Sequence, residues 1–181
     1  MRWSIASLVF FLAAPSVAGA QDCPPNPDIA DEVAAIYTEL QTAQNEMDAR
    51  PLANLLWRAW TRAPDQTAQD MLDVGMAARE VFDFERAKAA FDALVAYCPD
   101  YPEGYNQRAF IAFLREDYVS ALSDLERTLE RDPTHVAAIA GLGLTLTRLG
   151  RDEAAQAVLK RAVKLNPWLS ERHLIRDAES R

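Results

Sequence analysis

The chain has 181 residues, of which 50% are hydrophobic and 25% charged, and its formal net charge is −8. An acidic surface repels phosphate backbones and anionic lipid heads, which argues against nucleic acid as a partner. The chain has only two cysteines and two histidines, and it lacks a glycine-rich phosphate loop, a nucleophile elbow and an H-E-x-x-H sequence. We therefore predict that it is not an enzyme and that it uses no cofactor or metal.

The first twenty residues have the pattern of a cleaved secretion signal. Arg2 supplies a positive start, residues 5–14 are mostly apolar, and residues 18–20 are small, as a cleavage site requires. The apolar run is shorter than the ~20 residues that span a bilayer, so a retained membrane anchor is the weaker alternative. The prediction is a periplasmic or secreted protein that is cleaved after Ala20 and is not stably inserted in a membrane.

Residues 21–33 form an arm and the start of the first helix, and they carry one of the two cysteines. Cys23 precedes that helix, whereas Cys98 stands at the end of the second helix of a helix pair. In antiparallel helix pairs, first helices begin and second helices end at the same edge, and six extended residues reach up to ~20 Å along it. In an oxidising compartment we expect a Cys23–Cys98 disulfide. Two free thiols or an intermolecular pairing are the alternatives.

Three prolines spaced 34 residues apart, Pro99, Pro133 and Pro167, divide most of the chain into helix pairs. Proline ends a helix because it lacks an amide hydrogen and restricts the residue before it. Small residues recur in two columns and large apolar residues in a third, which is what closely packed neighbouring helices require. These columns are Gly75, Ala109 and Gly143, then Ala87, Ala121 and Ala155, then Phe91, Leu125 and Leu159. The predicted repeats cover 68–101, 102–135 and 136–169.

A weaker copy precedes these three repeats, and a short segment follows them. Ala53 falls in the small column and Trp57 in the large one, while Pro51 indicates the start of a second helix. This predicts a divergent repeat over 34–67. Residues 170–181 are predicted as a capping helix and tail. The expected fold is all-α, with four helix pairs.

These columns and turns resemble the tetratricopeptide repeat. Residues 103–109, followed by Asp117-Tyr118, Ala121-Leu122 and Asp124, are similar to the middle repeat of many such proteins. The chain also resembles a group of secreted alphaproteobacterial repeat proteins without a defined role. The resemblance covers about residues 34–169 and implies a right-handed superhelix that binds other proteins.

The resemblance also implies a concave groove lined by the first helix of each repeat. Apolar grooves usually mark binding surfaces, so we expect an amphipathic helix or an extended peptide as the occupant, with the aromatic side chains as anchors. The alternatives are a groove filled by the chain's own arm or closing helix, an envelope glycan-binding module, and a self-associating homodimer. The lining residues expected from repeat position are Leu72, Met76, Arg79, Glu103, Asn106, Phe110, Phe113, Ala140, Leu144 and Thr147.

Two further expectations concern charged positions. Arg108 stands where most repeats have a core leucine, and Asp124 lies sixteen residues later on the facing helix. We predict a partly buried ion pair, because an unpaired buried charge would be costly, with a ligand-binding arginine as the alternative.

Some tetratricopeptide repeat proteins bind a partner's C-terminal carboxylates with Lys, Asn and Arg at set positions of the first helices. Here those positions hold Leu72, Met76, Ala137 and Gly141, and only Gln107 is polar. We therefore expect that this carboxylate clamp is absent.

Overall fold

The computed structural model describes residues 22–176, so the predicted leader over 1–20 and the end of the predicted tail lie outside the described residues. No helix within that part of the chain has the length and apolarity needed to cross a membrane. Its eight α-helices are α1 (Ala30–Thr42), α2 (Glu46–Trp60), α3 (Gln66–Glu80), α4 (Phe84–Tyr97), α5 (Pro102–Leu114), α6 (Tyr118–Arg131), α7 (Val136–Arg148) and α8 (Asp152–Leu165).

Helices α3 to α8 form the three repeats, and their turns are alike. Phe82, Glu116 and Gly150 occupy equivalent positions after α3, α5 and α7, and their φ angles are 61°, 63° and 71°. This left-handed conformation costs a non-glycine residue about 1–2 kcal/mol, which the first two turns accept. Asp83 and Asp117 then cap α4 and α6 by accepting backbone N–H groups with their side chains. The turn geometry therefore repeats with the 34-residue period.

The predicted small-residue columns are confirmed where the paired helices meet. A Cβ atom on Gly75 would lie 2.3 Å from Phe91 Cε1, and one on Gly143 would lie 2.6 Å from Leu159 Cδ2. Neither distance is compatible with van der Waals contact, so at these two positions glycine leaves the space that Phe91 and Leu159 occupy. Ala109 fills the same column in the middle repeat and is fully buried.

The N-terminal hairpin, α1 and α2, lies across the repeats. The Tyr37 hydroxyl donates to the Thr134 carbonyl between α6 and α7. The Gln41 side chain donates to two carbonyl oxygens at the end of α8, at 3.1 and 2.9 Å. Trp168 Nε1 donates to the Leu40 carbonyl at 3.2 Å. Because these contacts lie where second helices end and first helices begin, α1 crosses that edge of the array.

The residue columns predicted for the divergent repeat are wrong in α2. Pro51 does not start the helix: α2 begins at Glu46, where the Asn45 side chain accepts two backbone N–H groups, and Pro51 lies inside it. Ala53 is exposed and Trp57 is 37% exposed, because the hairpin turns a different face of α2 towards the other helices. The buried residues of α2 are Ala49, Leu56, Ala59 and Trp60, which pack with α1 against α7 and α8.

A disulfide attaches the arm before α1 to the end of α4. Cys23 and Cys98 are bonded, with 5.2 Å between their Cα atoms, and Asn26 Nδ2 donates to the Asp100 carbonyl at 2.7 Å. The predicted pairing is therefore present, and neither cysteine is a free thiol. The bridge ties the start of the hairpin to the edge that α1 then follows.

The predicted capping helix is only a 3₁₀ turn, Ser170–Leu174, within the described residues. Trp168 and Leu169 pack against the core of the N-terminal hairpin and α7, as a cap would. Leu174 remains 38% exposed, and Arg172 forms an ion pair with Glu46 at the start of α2. The segment after α8 therefore meets the start of α2, and the last repeat is covered partly by the first helices.

Candidate functional site

A cavity of about 360 Å³ is lined mainly by residues of α3, α5 and α7, the first helices of the three repeats. Six of the predicted lining residues border it: Arg79, Asn106, Phe110, Phe113, Ala140 and Leu144. Phe110 is the most open of its aromatic residues at 45% exposure, while the Phe113 ring packs edge-on against Tyr118 with 5.4 Å between centroids. The cavity is therefore bordered mainly by apolar surface from α5 and α7.

Four predicted lining residues lie elsewhere. Leu72 is fully buried in the core between α3 and α4, and Glu103 is fully buried in a polar cluster. Met76 packs against the same core as Leu72. Thr147 is exposed near the end of α7 and donates to the Gly143 carbonyl. For Leu72 and Glu103 the prediction is wrong: Leu72 packs into the core that α3 and α4 form, and Glu103 is held by buried donors that include His135 of the next repeat.

The chain supplies two walls of the cavity that repeat position does not reveal. Trp57 reaches it from α2, and residues 169–171 border it from the C-terminal side. Both segments lie outside the three clear repeats, so their positions depend on how the N-terminal hairpin docks. The alternative of a groove filled by the arm or the closing helix has one counterpart here, because residues 169–171 at the closing segment border the cavity, whereas α2 was not predicted there.

A buried polar cluster lies beneath the cavity and is centred on Glu103. Its carboxylate accepts from Asn106 Nδ2 at 3.0 Å, from Gln107 Nε2 at 2.5 Å and from His135 Nε2 at 2.9 Å. Glu103 and His135 are fully buried, and Gln107 is 1% exposed. A buried carboxylate is tolerated when donors surround it, and here three donors do so.

His135 connects this cluster to the N-terminal hairpin. Its Nδ1 accepts the Ala138 backbone N–H at 3.2 Å and so caps α7, which leaves the Nε2 hydrogen to be donated to Glu103. The Trp60 ring stacks on the imidazole with 4.0 Å between centroids, and the Tyr101 hydroxyl donates to the Trp60 carbonyl at 2.6 Å. Both ring nitrogens are thus engaged, and no group of three potential metal ligands occurs among residues 22–176.

Arg79 is the basic residue at the cavity. Its guanidinium carbon lies 5.9 Å from the Trp57 ring and 5.4 Å from the Phe110 ring, and its Nη1 donates to Gln107 Oε1 at 2.5 Å. Burial lowers the pKa of Arg79, because the charged guanidinium loses contact with water. The sequence identified this residue as lining but did not show that two aromatic rings would flank it, since Trp57 comes from the hairpin.

The helix pairs of this chain match a known repeat family. The family model described as Tetratricopeptide repeat matches residues 112–168. Tetratricopeptide repeat protein 36 of Xenopus tropicalis is 32% identical over 138 residues, covering 73% of this chain and 67% of that protein. This chain belongs to the tetratricopeptide repeat family.

A TPR repeat-containing protein of Rhizobium etli is 26% identical to this tetratricopeptide repeat chain over 135 residues, which is 73% of the chain. The chain spans 65% of the length of that relative and 56% of human tetratricopeptide repeat protein 36. These relatives therefore support the family and leave the role of the whole protein to proposals.

Solved tetratricopeptide repeat structures share the fold. The first TPR of Spaghetti (RPAP3), bound to the HSP90 peptide SRMEEVD, has a TM-score of 0.57 at 20% identity, and the match covers 59% of this chain and 84% of that one. A MamA double mutant has a TM-score of 0.52 at 20% identity, covering 79% of this chain and 78% of that one. At these identities the likeness concerns the fold alone.

The predicted charged pair lies in the middle repeat, away from the cavity. Arg108 Nε and Nη2 donate to the two carboxylate oxygens of Asp124 at 2.7 and 2.8 Å, and Nη1 donates to Asp92 at 2.9 Å. The hydrogen bonds that Arg108 donates to Asp124 raise the pKa of the arginine further above its usual range. The arginine is thus engaged by two carboxylates and replaces a core leucine by a bidentate link between α5 and α6.

Proposed function

We propose that this chain is a scaffold that binds a protein or peptide partner through the concave cavity, in a periplasmic or secreted setting. The observation that carries the proposal is Phe110, a large aromatic side chain that borders the cavity and is 45% exposed. Exposed aromatic residues in a concave apolar surface are typical binding anchors. The disulfide supports an oxidising compartment, in which such bonds persist.

The dimensions of the cavity favour a short anchoring segment of the partner. An α-helix with its side chains is ~10–12 Å wide, and the cavity of about 360 Å³ is bounded by α2 on one side and by residues 169–171 on another. A whole helix would have to displace the N-terminal hairpin. We therefore propose that one or two apolar side chains of a partner enter the cavity next to Phe110 and Phe113.

The buried polar cluster makes a glycan a poorer occupant. Asn106 and Gln107, the amides nearest to the aromatic residues, both donate to Glu103, and Gln107 also accepts from Arg79. Sugar hydroxyls would need free polar partners beside the rings, and these amides are already engaged. Assembly of an envelope complex is the role we propose for the scaffold, by analogy with the family.

The experiment is site-specific photo-cross-linking in the native envelope. A photoreactive amino acid at Leu144, which borders the cavity, should capture a partner that the same group at the exposed Val119 of α6 does not. Phe110→Ala should weaken binding of the purified partner at least tenfold, as loss of an anchor residue does. Leu114→Ala is the matched control, since Leu114 is 40% exposed on the same helix outside the cavity.

Equal effects of the Phe110 and Leu114 substitutions would contradict a cavity-based scaffold. Capture from Val119 alone would move the interface to the second helices. Size-exclusion chromatography of the purified protein tests the homodimer: a dimer that the Phe110→Ala variant disrupts would make a second copy of the chain the partner.

A further inference from the structure

Arg79 is the basic residue among the described residues that border the cavity, and aromatic rings flank it. The Trp57 and Phe110 rings lie within 6 Å of the guanidinium carbon, a distance at which cation–π attraction operates. Aromatic contacts engage the faces of a guanidinium and leave its N–H edge for hydrogen bonds. One of these N–H groups donates to Gln107 Oε1.

The charge of Arg79 has no ionic partner among residues 22–176: no carboxylate in this part of the chain forms a salt bridge with it. The buried Glu103 lies beyond Gln107, and its oxygens already accept from three donors. Glu103 and Glu80 attract the Arg79 charge without forming a salt bridge with it, and burial still lowers its pKa. A ligand carboxylate in direct contact with the guanidinium would therefore stabilise the charge further.

The remainder of the cavity suits an apolar group of limited size. Its volume of about 360 Å³ is at the lower end of the ~300–1,000 Å³ of small-molecule sites. Such sites combine an apolar lining with a few polar groups that orient the ligand, which is the arrangement found here. The apolar lining consists mainly of Ala109, Phe110, Phe113, Leu125, Ala140 and Leu144.

We propose that this cavity binds a small amphipathic monocarboxylate, with the carboxylate on Arg79 and the apolar part between Phe113 and Leu144. This ligand-binding activity goes beyond the scaffold role and does not depend on it. Among the described residues, Glu171 of the 3₁₀ turn is the one acidic residue that borders the cavity. Its negative charge opposes any anion in the cavity and opposes two carboxylates more than one, so a monocarboxylate is preferred to a dicarboxylate.

The test compares three eight-carbon probes on the wild-type protein by isothermal titration calorimetry: sodium octanoate, 1-octanol and octylamine. Octanoate should bind about 10- to 100-fold more tightly than octanol, which is the worth of charge-assisted hydrogen bonds to a guanidinium. Trp57 borders the cavity, so its fluorescence gives a second readout. Equal affinity for octanoate and octanol, or no binding of octanoate, would overturn the proposal.

Two variants test the assigned residue. Arg79→Gln should remove the preference for octanoate while leaving octanol binding within about threefold, and Glu171→Gln should keep or strengthen the preference. If Arg79 serves only to hold Gln107, Arg79→Gln will lower the melting temperature without changing the ratio of the two affinities, and the proposal fails. Should that variant not fold, the comparison of probes on the wild-type protein decides alone.

A comparison of two peptides distinguishes the source of the carboxylate and tests this proposal separately from the scaffold role. A hexapeptide that ends in Phe is compared as its free acid and as its amide. Octanoate binding that depends on Arg79 supports a free small acid as the ligand. Binding of the peptide acid without octanoate would overturn the small-molecule proposal while supporting a peptide partner. A partner captured from Leu144 together with equal binding of all probes would leave the scaffold role standing alone.

Discussion

Breaking the Cys23–Cys98 disulfide should cost this protein several kcal/mol. Cys23→Ser is the preferred change, because Cys23 is only partly buried, whereas Cys98 is 1% exposed. The two cysteines are 75 residues apart, and the chain-entropy relation for a loop of that length gives about 4.5 kcal/mol at 25 °C. Measured disulfides typically contribute ~2–4 kcal/mol, so we expect the free energy of unfolding to fall by about that amount.

The assay is urea and thermal unfolding of the wild type and the variant, each with and without reductant. At ~2–4 °C per kcal/mol for a chain of this size, the melting temperature should fall by roughly 5–15 °C. Reductant should bring the wild type to the variant's value and leave the variant unchanged. Agreement of the oxidised wild type with the variant within ~0.5 kcal/mol would refute the reasoning, since the bridge would then restrict neither the unfolded chain nor the folded arm.

Hydrogen exchange of α1 shows where the bridge acts. If the disulfide stabilises only by restricting the unfolded chain, amide protection in α1 falls with the global stability of the protein. If it also holds the hairpin on the edge of the array, the variant's α1 exchanges by local opening, below the global free energy. The hydrogen bonds of Tyr37, Gln41 and Trp168 remain in the variant, so we expect α1 to stay docked.

Three further predictions concern the core. Gly75→Ala should destabilise the fold by about 1–3 kcal/mol, since its methyl group would overlap the Phe91 ring, although alanine favours a helix; urea unfolding measures this. Asp124→Asn should cost about 1.5–3 kcal/mol by removing a charged acceptor from Arg108, whereas the same change at a surface carboxylate should cost less than ~1 kcal/mol. Burial raises the pKa of Tyr101 above its value of about 10 in the unfolded chain. The contribution of the neutral side chain to stability is therefore complete below pH ~10 and is lost as the pH rises further. In Tyr101→Phe, the free energy of unfolding should fall less steeply with alkaline pH, by up to about 1.4 kcal/mol per pH unit.

The repeats could be predicted because their packing depends on side-chain size at fixed spacing. Gly75 and Gly143 must be small, since Phe91 and Leu159 occupy the space that a Cβ atom would need. Each such contact joins helices that are neighbours in the chain. The 34-residue period is therefore enough to predict how α3 to α8 pack. It also predicts the edge of the array at which Cys23 and Cys98 meet.

The docking of the N-terminal hairpin could not be predicted in the same way. Tyr37 and Trp168 make their contacts over sequence separations of 97 and 128 residues, and the acceptors are backbone carbonyls, which every residue offers. Pro51 and Trp57 fit the repeat pattern well enough to predict a further stacked pair. The face of α2 that is buried depends on where α1 packs, and the spacing of residues within α2 does not predict this.

The same limit explains which site residues were missed. Phe110, Phe113 and Leu144 could be assigned because they follow from repeat position alone. Glu103 occupies a position of the same kind, but three donors keep its carboxylate buried, and one of them is His135 of the next repeat. Trp57 could not be predicted as a site residue, because it reaches the cavity from the N-terminal hairpin and not from one of the three repeats.

The hairpin determines what the groove can hold. To open the whole concave surface, α2 would have to leave, which would expose Leu56 and Trp60, both almost fully buried, and would break the stacking on His135. Exposing two large apolar side chains alone costs about 3–6 kcal/mol, and the Cys23–Cys98 bridge keeps the arm attached throughout. A ligand that fits the existing cavity avoids that cost. A partner's anchoring side chain and a small carboxylate would then compete for the same space, so octanoate should displace a partner that depends on Phe110 and should leave one bound to the second helices in place.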